Sequence, residues 1–389
     1  MPRILMVAYT NYLTDARPRR AAEALTSRGD EVDFISLAEQ GRPAAEQLNG
    51  VTVLRLSQGR YRGSSGLRYL WSYGLFFVRV SAMVVRRMMS RHYDVVYVHT
   101  MPDWMVFVGL IPKLFGAKIV LDMHDMMPEL YMSKFGLNEK HLLIRFMKFQ
   151  ERLSFGLADR IICVHEPHRD VLVRRGARIG KLTVILNLPD PSIFGERSAM
   201  AERPAGGGGL RLVYHGTIVK RLGLDVALKA FREVVGQCPG AHFDIYGDGD
   251  DAERVDALIR EYGLSNHVYF SRKFFRVDEI PALIRGATMG IISNRRDIAT
   301  EYMLPVKMIE YLYLDIPVVA PRLGAISHYF SDDAVAYYAP GDSAELARTI
   351  LELYRDESKR ASFRRNAQKF MSLYSWSEMK KELYAAIDN

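Results

Sequence analysis

The chain alternates short apolar runs with longer amphipathic ones, and it does so in two successive series. In the first half the short runs are Ile4–Ala8, Glu31–Ile35, Val51–Leu54, Val95–His99, Lys118–Asp122, Arg160–Val164 and Thr183–Leu186. Several are apolar without alternation, the pattern of strands covered on both faces. Segments of helical spacing, such as Pro18–Ser27 and Leu142–Leu157, fall between them. The pattern restarts at Arg211–His215 and continues with His242–Tyr246, His267–Phe270, Met289–Ile292, Pro317–Ala320 and Ala334–Tyr338. Between the series lies a stretch, 199–209, in which four glycines follow Pro204 and Ala205. That composition predicts a linker. Two βαβα series predict two doubly wound α/β domains, 1–198 and 210–373. In such sheets ligands bind beyond the carboxyl ends of the strands, so one site is expected in a cleft between the domains.

The composition is that of a globular chain: 389 residues, 49% hydrophobic and 25% charged. This excludes a disordered chain. With only Cys163 and Cys238 it also excludes a disulfide scaffold and fits a reducing compartment. No apolar run reaches the length of a membrane span, and the N-terminal run is too short for a signal peptide. The net charge of +8 is concentrated: between Glu46 and Asp94 there are eight arginines, no lysine and no acid, so the rest of the chain sums to zero. A partner suited to positive charge is therefore sought at that segment.

Three motifs of the second half suit a nucleotide diphosphate. The strand ending at His215 runs into Gly216-Thr-Ile-Val-Lys-Arg-Leu-Gly223 and then a helix. The glycine lets a ligand approach the backbone, and a helix N-terminus beside Lys220 and Arg221 suits an anion. An ordinary strand-to-helix turn with surface cations is the alternative. The next strand ends in Tyr246-Gly-Asp-Gly-Asp250, where Gly247 and Gly249 again permit close approach. In Pro305-Val-Lys-Met-Ile-Glu-Tyr311, Pro305 suits the first turn of a helix whose free N–H groups favour phosphate. Glu310, among apolar residues, can accept hydrogen bonds from both hydroxyls of a ribose or pair with a neighbouring cation.

In this order and spacing the chain resembles the retaining glycosyltransferases of family 4, of the bacterial envelope and exopolysaccharide type. The resemblance covers nearly the whole chain. It includes Tyr374-Ser-Trp-Ser377, similar to the segment from which that family's last helix, here about 374–389, returns to the first domain. It implies the GT-B fold, two Rossmann-like domains facing a central cleft, and a nucleotide-diphosphate sugar as donor. It places Gly216, Thr217, Lys220 or Arg221, Gly247 and Gly249 on the donor and Lys307 over its phosphates. Glu310 would hold the ribose, and Phe275, in the stretch Lys273–Phe275, would lie beside the base. Tyr302 stands where the family often has a glutamate for the transferred sugar, with Glu301 one residue out of register. Leu222-Gly223 replaces the usual Lys-Gly.

In the first half, Tyr9-Thr-Asn-Tyr-Leu-Thr-Asp-Ala-Arg-Pro-Arg-Arg20 replaces the usual glycine pair. Asn11, Asp15 and Arg17 are acceptor-side candidates. Asp15 also suits a helix cap, and Arg17 and Arg20 suit phosphate. His99 ends one strand, and His124 follows the next in Asp122-Met-His-Asp-Met-Met-Pro-Glu129. Two histidines at neighbouring strand ends predict a pocket. His124, His99 and Asp125 are therefore the catalytic candidates, and Glu129 an acceptor-side one. His165 and His168 fit a plain strand-to-helix turn, and Asn187 is expected at the crossing between domains. The resemblance further implies retention of configuration, with the departing phosphate oxygen taking the acceptor's proton and a histidine lining the sugar's face. The fold that the resemblance implies works without a metal, so neither metal nor cofactor is expected.

Arg68, Arg79 and Arg86 are spaced to share one helical face, and the rest of that helix is apolar, with Leu70, Trp71, Phe76, Phe77, Val80, Val84 and Met88. Either it is a buried helix with one wet stripe, or it lies on a membrane with its arginines on anionic headgroups. No nucleic-acid motif accompanies the arginines, so nucleic acid is not expected. The sequence thus reads as a cytoplasmic hexosyltransferase, peripheral on the inner face of the cytoplasmic membrane. It would act on a glycan or lipid-linked (polyprenyl-diphosphate) acceptor. A nucleotide-sugar epimerase of the same architecture, and a sugar-nucleotide-binding scaffold with reduced catalysis, are the other classes; Tyr302 motivates the second.

Overall fold

Apolar strands buried on both faces assemble into two sheets, one in each of two units, in a computed structural model that describes residues 1–59, 61, 66–195 and 209–389. The units are Met1–Asn187 with Ser377–Asn389, and Leu188–Trp376. The first therefore ends at Asn187, before the expected boundary at 198. The expected linker lies outside the described residues except for Gly209, as do Arg60 and Arg62.

The sheet of the first unit has the order β3-β4-β2-β1-β5-β6-β7-β8. Its strands are β1 (Arg3–Ala8), β2 (Glu31–Leu37), β3 (Ala45–Leu48), β4 (Val51–Leu56), β5 (Val95–His99), β6 (Lys118–Met123), β7 (Arg160–Cys163) and β8 (Leu182–Val184). All neighbours are parallel except β3, which pairs antiparallel with β4. The apolar pattern does not predict β3, because its side chains are largely outside the core. Its signal is the turn: Asn49 and Gly50 both have positive φ (49° and 82°), the geometry of a two-residue Asn-Gly hairpin.

Helices α1 (Ala16–Arg28), α2 (Gly66–Met88), α3 (Leu110–Leu114), α4 (Met127–Phe135) and α5 (Leu142–Leu157) belong to this unit. On α2, Tyr73, Phe76, Val80 and Val84 recur at helical spacing and join the core with Leu5, Val7, Val96 and Val98. The apolar side of α2 is thus largely spent on the sheet, while Trp71 on its outer side is exposed. The helix Trp376–Asp388 completes the unit. It buries Leu383 and Ile387, Arg28 pairs with Asp388 at 2.9 Å, and the Lys118 ammonium donates to the Ala386 and Ile387 carbonyls.

The second unit carries a fully parallel sheet of order β11-β10-β9-β12-β13-β14. Its strands are β9 (Arg211–His215), β10 (His242–Tyr246), β11 (Val268–Phe270), β12 (Met289–Ile291), β13 (Val318–Pro321) and β14 (Ala336–Tyr338). Helices Leu224–Gln237 and Ser343–Arg355 cover one face, burying Phe231 and Leu346 with Leu212 and Phe243.

The arginine segment is less uncompensated than its local composition suggests. Buried Arg55 pairs with Glu39 at 2.8 Å and Glu46 at 3.0 Å, and Arg87 pairs with Asp33 at 2.9 Å. These acids precede the segment and meet it across the sheet. Arg68 and Arg86 are exposed, and half-buried Arg79 donates to the Ser57 carbonyl.

Candidate functional site

The polar groups singled out in the second unit gather at the carboxyl ends of β9 and β10. The Gly216 N–H donates to the Tyr246 carbonyl at 2.9 Å, and the Ile218 N–H to that of Asp248 at 2.8 Å. A Cβ at Gly247 would sit 1.9 Å from the Gly216 carbonyl oxygen, and one at Gly249 2.2 Å from that of Ile218. The close approach of the neighbouring turn by itself requires glycine at positions 247 and 249. Gly216 differs: a Cβ there would meet only the Lys307 side chain, at 3.5 Å.

Lys307 comes from the helix Val306–Tyr313, for which Pro305 is the N-cap rather than a first-turn residue. Its Nζ is buried without a hydrogen-bond partner and lies 3.5 Å from the centroid of the Tyr214 ring. Burial lowers its pKa to about 7, against the opposing pull of Glu310. The Nε of Arg221 is likewise buried without a hydrogen-bond partner. Lys220 and Thr217 are exposed on the same turn. A turn that gathers cationic nitrogens without hydrogen-bond partners has the chemistry to receive a diphosphate.

Glu310 is buried and held by His215, whose Nε2 lies 2.6 Å from its Oε2. On the other side of the ring, the Tyr311 hydroxyl accepts from the His215 backbone N–H at 3.1 Å and sits 3.0 Å from Nδ1. The ring is thus held between Tyr311 and Glu310, one nitrogen facing each. This leaves Oε1 of Glu310 for a ligand hydroxyl. Phe275 packs edge-on against Tyr246, with ring centroids 5.7 Å apart, beside the Gly247 turn. Tyr302 is half-buried, while Glu301 accepts from the Gly324 N–H at 2.9 Å.

The strand-end groups of the first unit pair with one another, apart from Nε2 of His99, which is buried without a hydrogen-bond partner. Asp122, on β6, receives Arg17 at 2.8 Å and the Tyr97 hydroxyl at 2.8 Å, with His99 Nδ1 at 3.4 Å. Burial opposes its charge, but Arg17 and then His124 outweigh burial and hold the carboxyl well below its ordinary range. His99 Nδ1 is 3.0 Å from His124 Nε2. His99, Asp122 and His124 form the one group of metal-ligand spacing among the described residues. The Arg17 guanidinium on Asp122 makes that group a poor cation site, since the carboxylate is already neutralised.

This geometry revises several roles. His99 is fully buried and burial lowers its pKa, so it orients His124, which keeps partial exposure. Arg17 is committed to Asp122 and to the Ile185 carbonyl, not to an acceptor. Asp15 occupies the N-cap position of α1 but makes no side-chain cap bond. Asn11 donates to the Ala38 carbonyl at 2.8 Å, and Asp125 is exposed. Glu129, expected on the acceptor side, is buried and pairs with Arg175, which also holds Glu151. Burial raises Glu151 to about 7 against the pull of Arg175, and burial with Glu151 nearby pushes Asp103 well above its usual range. His165 accepts from the His168 N–H at 3.1 Å, as a plain turn would have it. Asn187, the last residue of the first unit, accepts from Arg20 at 2.6 Å. Asp122, Tyr97, His215 and Tyr311 escaped the sequence reading. His215 and Asp122 carried the signal that exposed His99, a polar residue at or near a strand's carboxyl end.

Both halves match known families: residues 15–187 a glycosyl transferase 4-like domain, and residues 198–370 glycosyl transferases group 1. A 2-deoxystreptamine glucosyltransferase of Streptomyces kanamyceticus is 23% identical over 356 residues, 87% of this chain and 88% of that one. An uncharacterised glycosyltransferase of Methanocaldococcus jannaschii is 23% identical over 43% of this chain and 44% of its own. One component of the phosphatidylinositol N-acetylglucosaminyltransferase of Arabidopsis thaliana is 22% identical over 61% of this chain. The chain thus spans about half the length of the last two, 44% and 51%. Among solved structures, a sucrose-phosphate synthase of Thermosynechococcus elongatus has a TM-score of 0.78 at 16% identity, covering 99% of this chain and 98% of its own. HepE of Anabaena, in complex with UDP-glucose, has a TM-score of 0.68 at 17% identity, covering 100% and 99%. The protein is a glycosyltransferase of the GT-B type.

Proposed function

We propose that the protein is a retaining hexosyltransferase of family 4. It takes the sugar of a nucleotide-diphosphate donor to a glycan or polyprenyl-diphosphate-linked acceptor in envelope or exopolysaccharide synthesis, without metal or cofactor. It works at the anionic inner face of the cytoplasmic membrane. The observation that carries the donor half is Lys307, whose buried Nζ has no hydrogen-bond partner beside the open face of Gly216. The crystallised complex of the Anabaena relative with UDP-glucose supports a donor of this class.

In this reading Lys307, Arg221 and Lys220 receive the diphosphate and stabilise its growing charge as the anomeric C–O bond breaks. Glu310, oriented by His215, takes the ribose hydroxyls, and Phe275 flanks the base. The acceptor oxygen bonds to the anomeric carbon, and its proton passes to the departing phosphate oxygen. His124 lines the face of the sugar, and Tyr302 takes the place of the usual glutamate there.

The test is incubation with a panel of UDP-, GDP- and ADP-sugars, with and without membrane lipid extract. Nucleotide release that rises with lipid is expected, with the product's anomeric configuration matching the donor's. An isomerised donor would make it an epimerase, and binding without turnover would make it a scaffold.

A further inference from the structure

Helix α5 carries two apolar faces, and among the described residues only one of them is covered. Ile144, Met147, Ser154 and Phe155 face inward. On the opposite side Leu142, Phe146, Phe149 and Leu153 are 78%, 63%, 55% and 48% exposed. At 100° per residue these four fall within about 60° of arc, an unbroken stripe along the helix. Arg145 and Arg152, both exposed, run along one flank of it. The helix has one acid, Glu151, and that is buried against Arg175. At the far end of α5 the Lys113 ammonium donates to the Leu157 carbonyl, which ties in α3 with its exposed Leu114 and neighbouring Phe115.

We infer that α5 is the element that inserts into the membrane, its stripe entering the headgroup–acyl boundary of an anionic bilayer with Arg145 and Arg152 on the lipid phosphates. This deepens the membrane part of the proposed function and rests on that reading for its purpose. The sequence assigned membrane contact to α2, which buries Tyr73, Phe76, Val80 and Val84 in the core and exposes Leu70, Trp71, Val78 and Val85; the stripe of α5 carries more aromatic surface, Phe146 and Phe149, in a tighter row. Two properties of the surface select a bilayer. Its aromatic and aliphatic side chains offer depth without a groove, as interfacial helices do. And although Glu139 and Asp159, just outside the two ends of α5, pair with Lys148 and Lys113, α2, α3 and α5 themselves expose no carboxylate; Arg145 and Arg152 keep the surface positive, so the complementary surface is negative.

The experiment is flotation of the full chain with vesicles of phosphatidylcholine alone or mixed with phosphatidylglycerol. Two variants accompany it: Phe146→Ser/Phe149→Ser/Leu153→Gln, and Arg68→Gln/Arg79→Gln/Arg86→Gln. All these residues are outside the buried core, so both variants keep the wild-type melting temperature. The wild type should float with the mixed vesicles, and the α5 variant should lose at least about tenfold in partitioning, including the part that survives high salt. Undiminished flotation of a folded α5 variant would overturn the inference. So would a wild-type dimer that the α5 variant turns into a monomer, since a second copy would then cover the stripe. Nucleotide-sugar binding, measured without lipid, should be the same in wild type and α5 variant. Its absence in both would sink the transferase reading while leaving the flotation result standing.

Discussion

The two sheets end in opposite ways. In the first unit the charged groups at the strand ends close on one another: Arg17, Tyr97 and His99 converge on Asp122 and His99 bonds His124, which leaves only Nε2 of His99 in that cluster buried without a hydrogen-bond partner. In the second, the groups around Gly216 leave charge without a hydrogen-bond partner, Nζ of Lys307 and Nε of Arg221. A buried group without a partner is costly in the free protein, and a diphosphate is the ligand that removes the cost. A closed network instead holds a shape, here the orientation of His124. Polar clustering at a strand end therefore does not by itself identify the ligand-binding end, because the state of its hydrogen bonds differs.

Arg17→Met should have the largest effect, because it leaves Asp122 ionised and buried without its cation. A loss of about 3–5 kcal/mol in denaturant unfolding is expected; a loss below about 1 kcal/mol would mean the network is not closed as described.

Lys307→Met should act in two directions. Removing a buried ammonium that lacks a hydrogen-bond partner raises stability near neutral pH by about 1–3 kcal/mol, while donor affinity falls by about 10- to 100-fold. Melting and calorimetric titration measure the two, and a variant that loses stability without losing affinity would move Lys307 to a structural role. The wild type adds a pH test. With a pKa of about 7 in the free protein, Lys307 must take up a proton to bind a diphosphate at higher pH. Donor affinity should therefore fall as pH rises past 7, by up to about tenfold per unit, and Lys307→Met should abolish the dependence.

Glu310→Ala should weaken donor binding by about 1–3 kcal/mol, and His215→Gln by less, since it only orients Glu310. Equal affinity of a folded Glu310→Ala variant would remove Glu310 from the site.

The smallest effect belongs to the carboxylates around Arg175. Glu151 is raised to about 7 in the folded state, so between about 4.3 and 7 the folded protein binds more protons than the unfolded one. Its stability contribution is then present below that window and is lost as pH rises through it, at about 1 kcal/mol per unit or less. Glu151→Gln should flatten the slope of melting temperature against pH, and an unchanged slope would exclude Glu151 as its source.

Periodicity and turn chemistry made the two sheets legible, because strands buried on both faces cannot hide their apolar runs. Residues Val95–His99, Arg211–His215 and Leu142–Leu157 have the expected bounds. Strand β3 was missed because an edge strand needs little apolar content, although Asn49-Gly50 announced its hairpin. The strand-end positions of His99 and His124, and the place of Glu310 in its helix, were likewise readable from order along the chain.

What the sequence determined alone was local: the βαβ units, the Gly216 turn, the Pro-x-Lys-x-x-Glu helix start and the run of eight arginines. What only tertiary structure decided was partnership, because the groups concerned lie far apart in the chain. Arg17 meets Asp122 across 105 residues, His215 meets Glu310 across 95, and Asp33 meets Arg87 across 54. Burial was decided there too. The α5 stripe has the same composition as a core face, and only the packing of its opposite side shows which way Phe146 and Phe149 point.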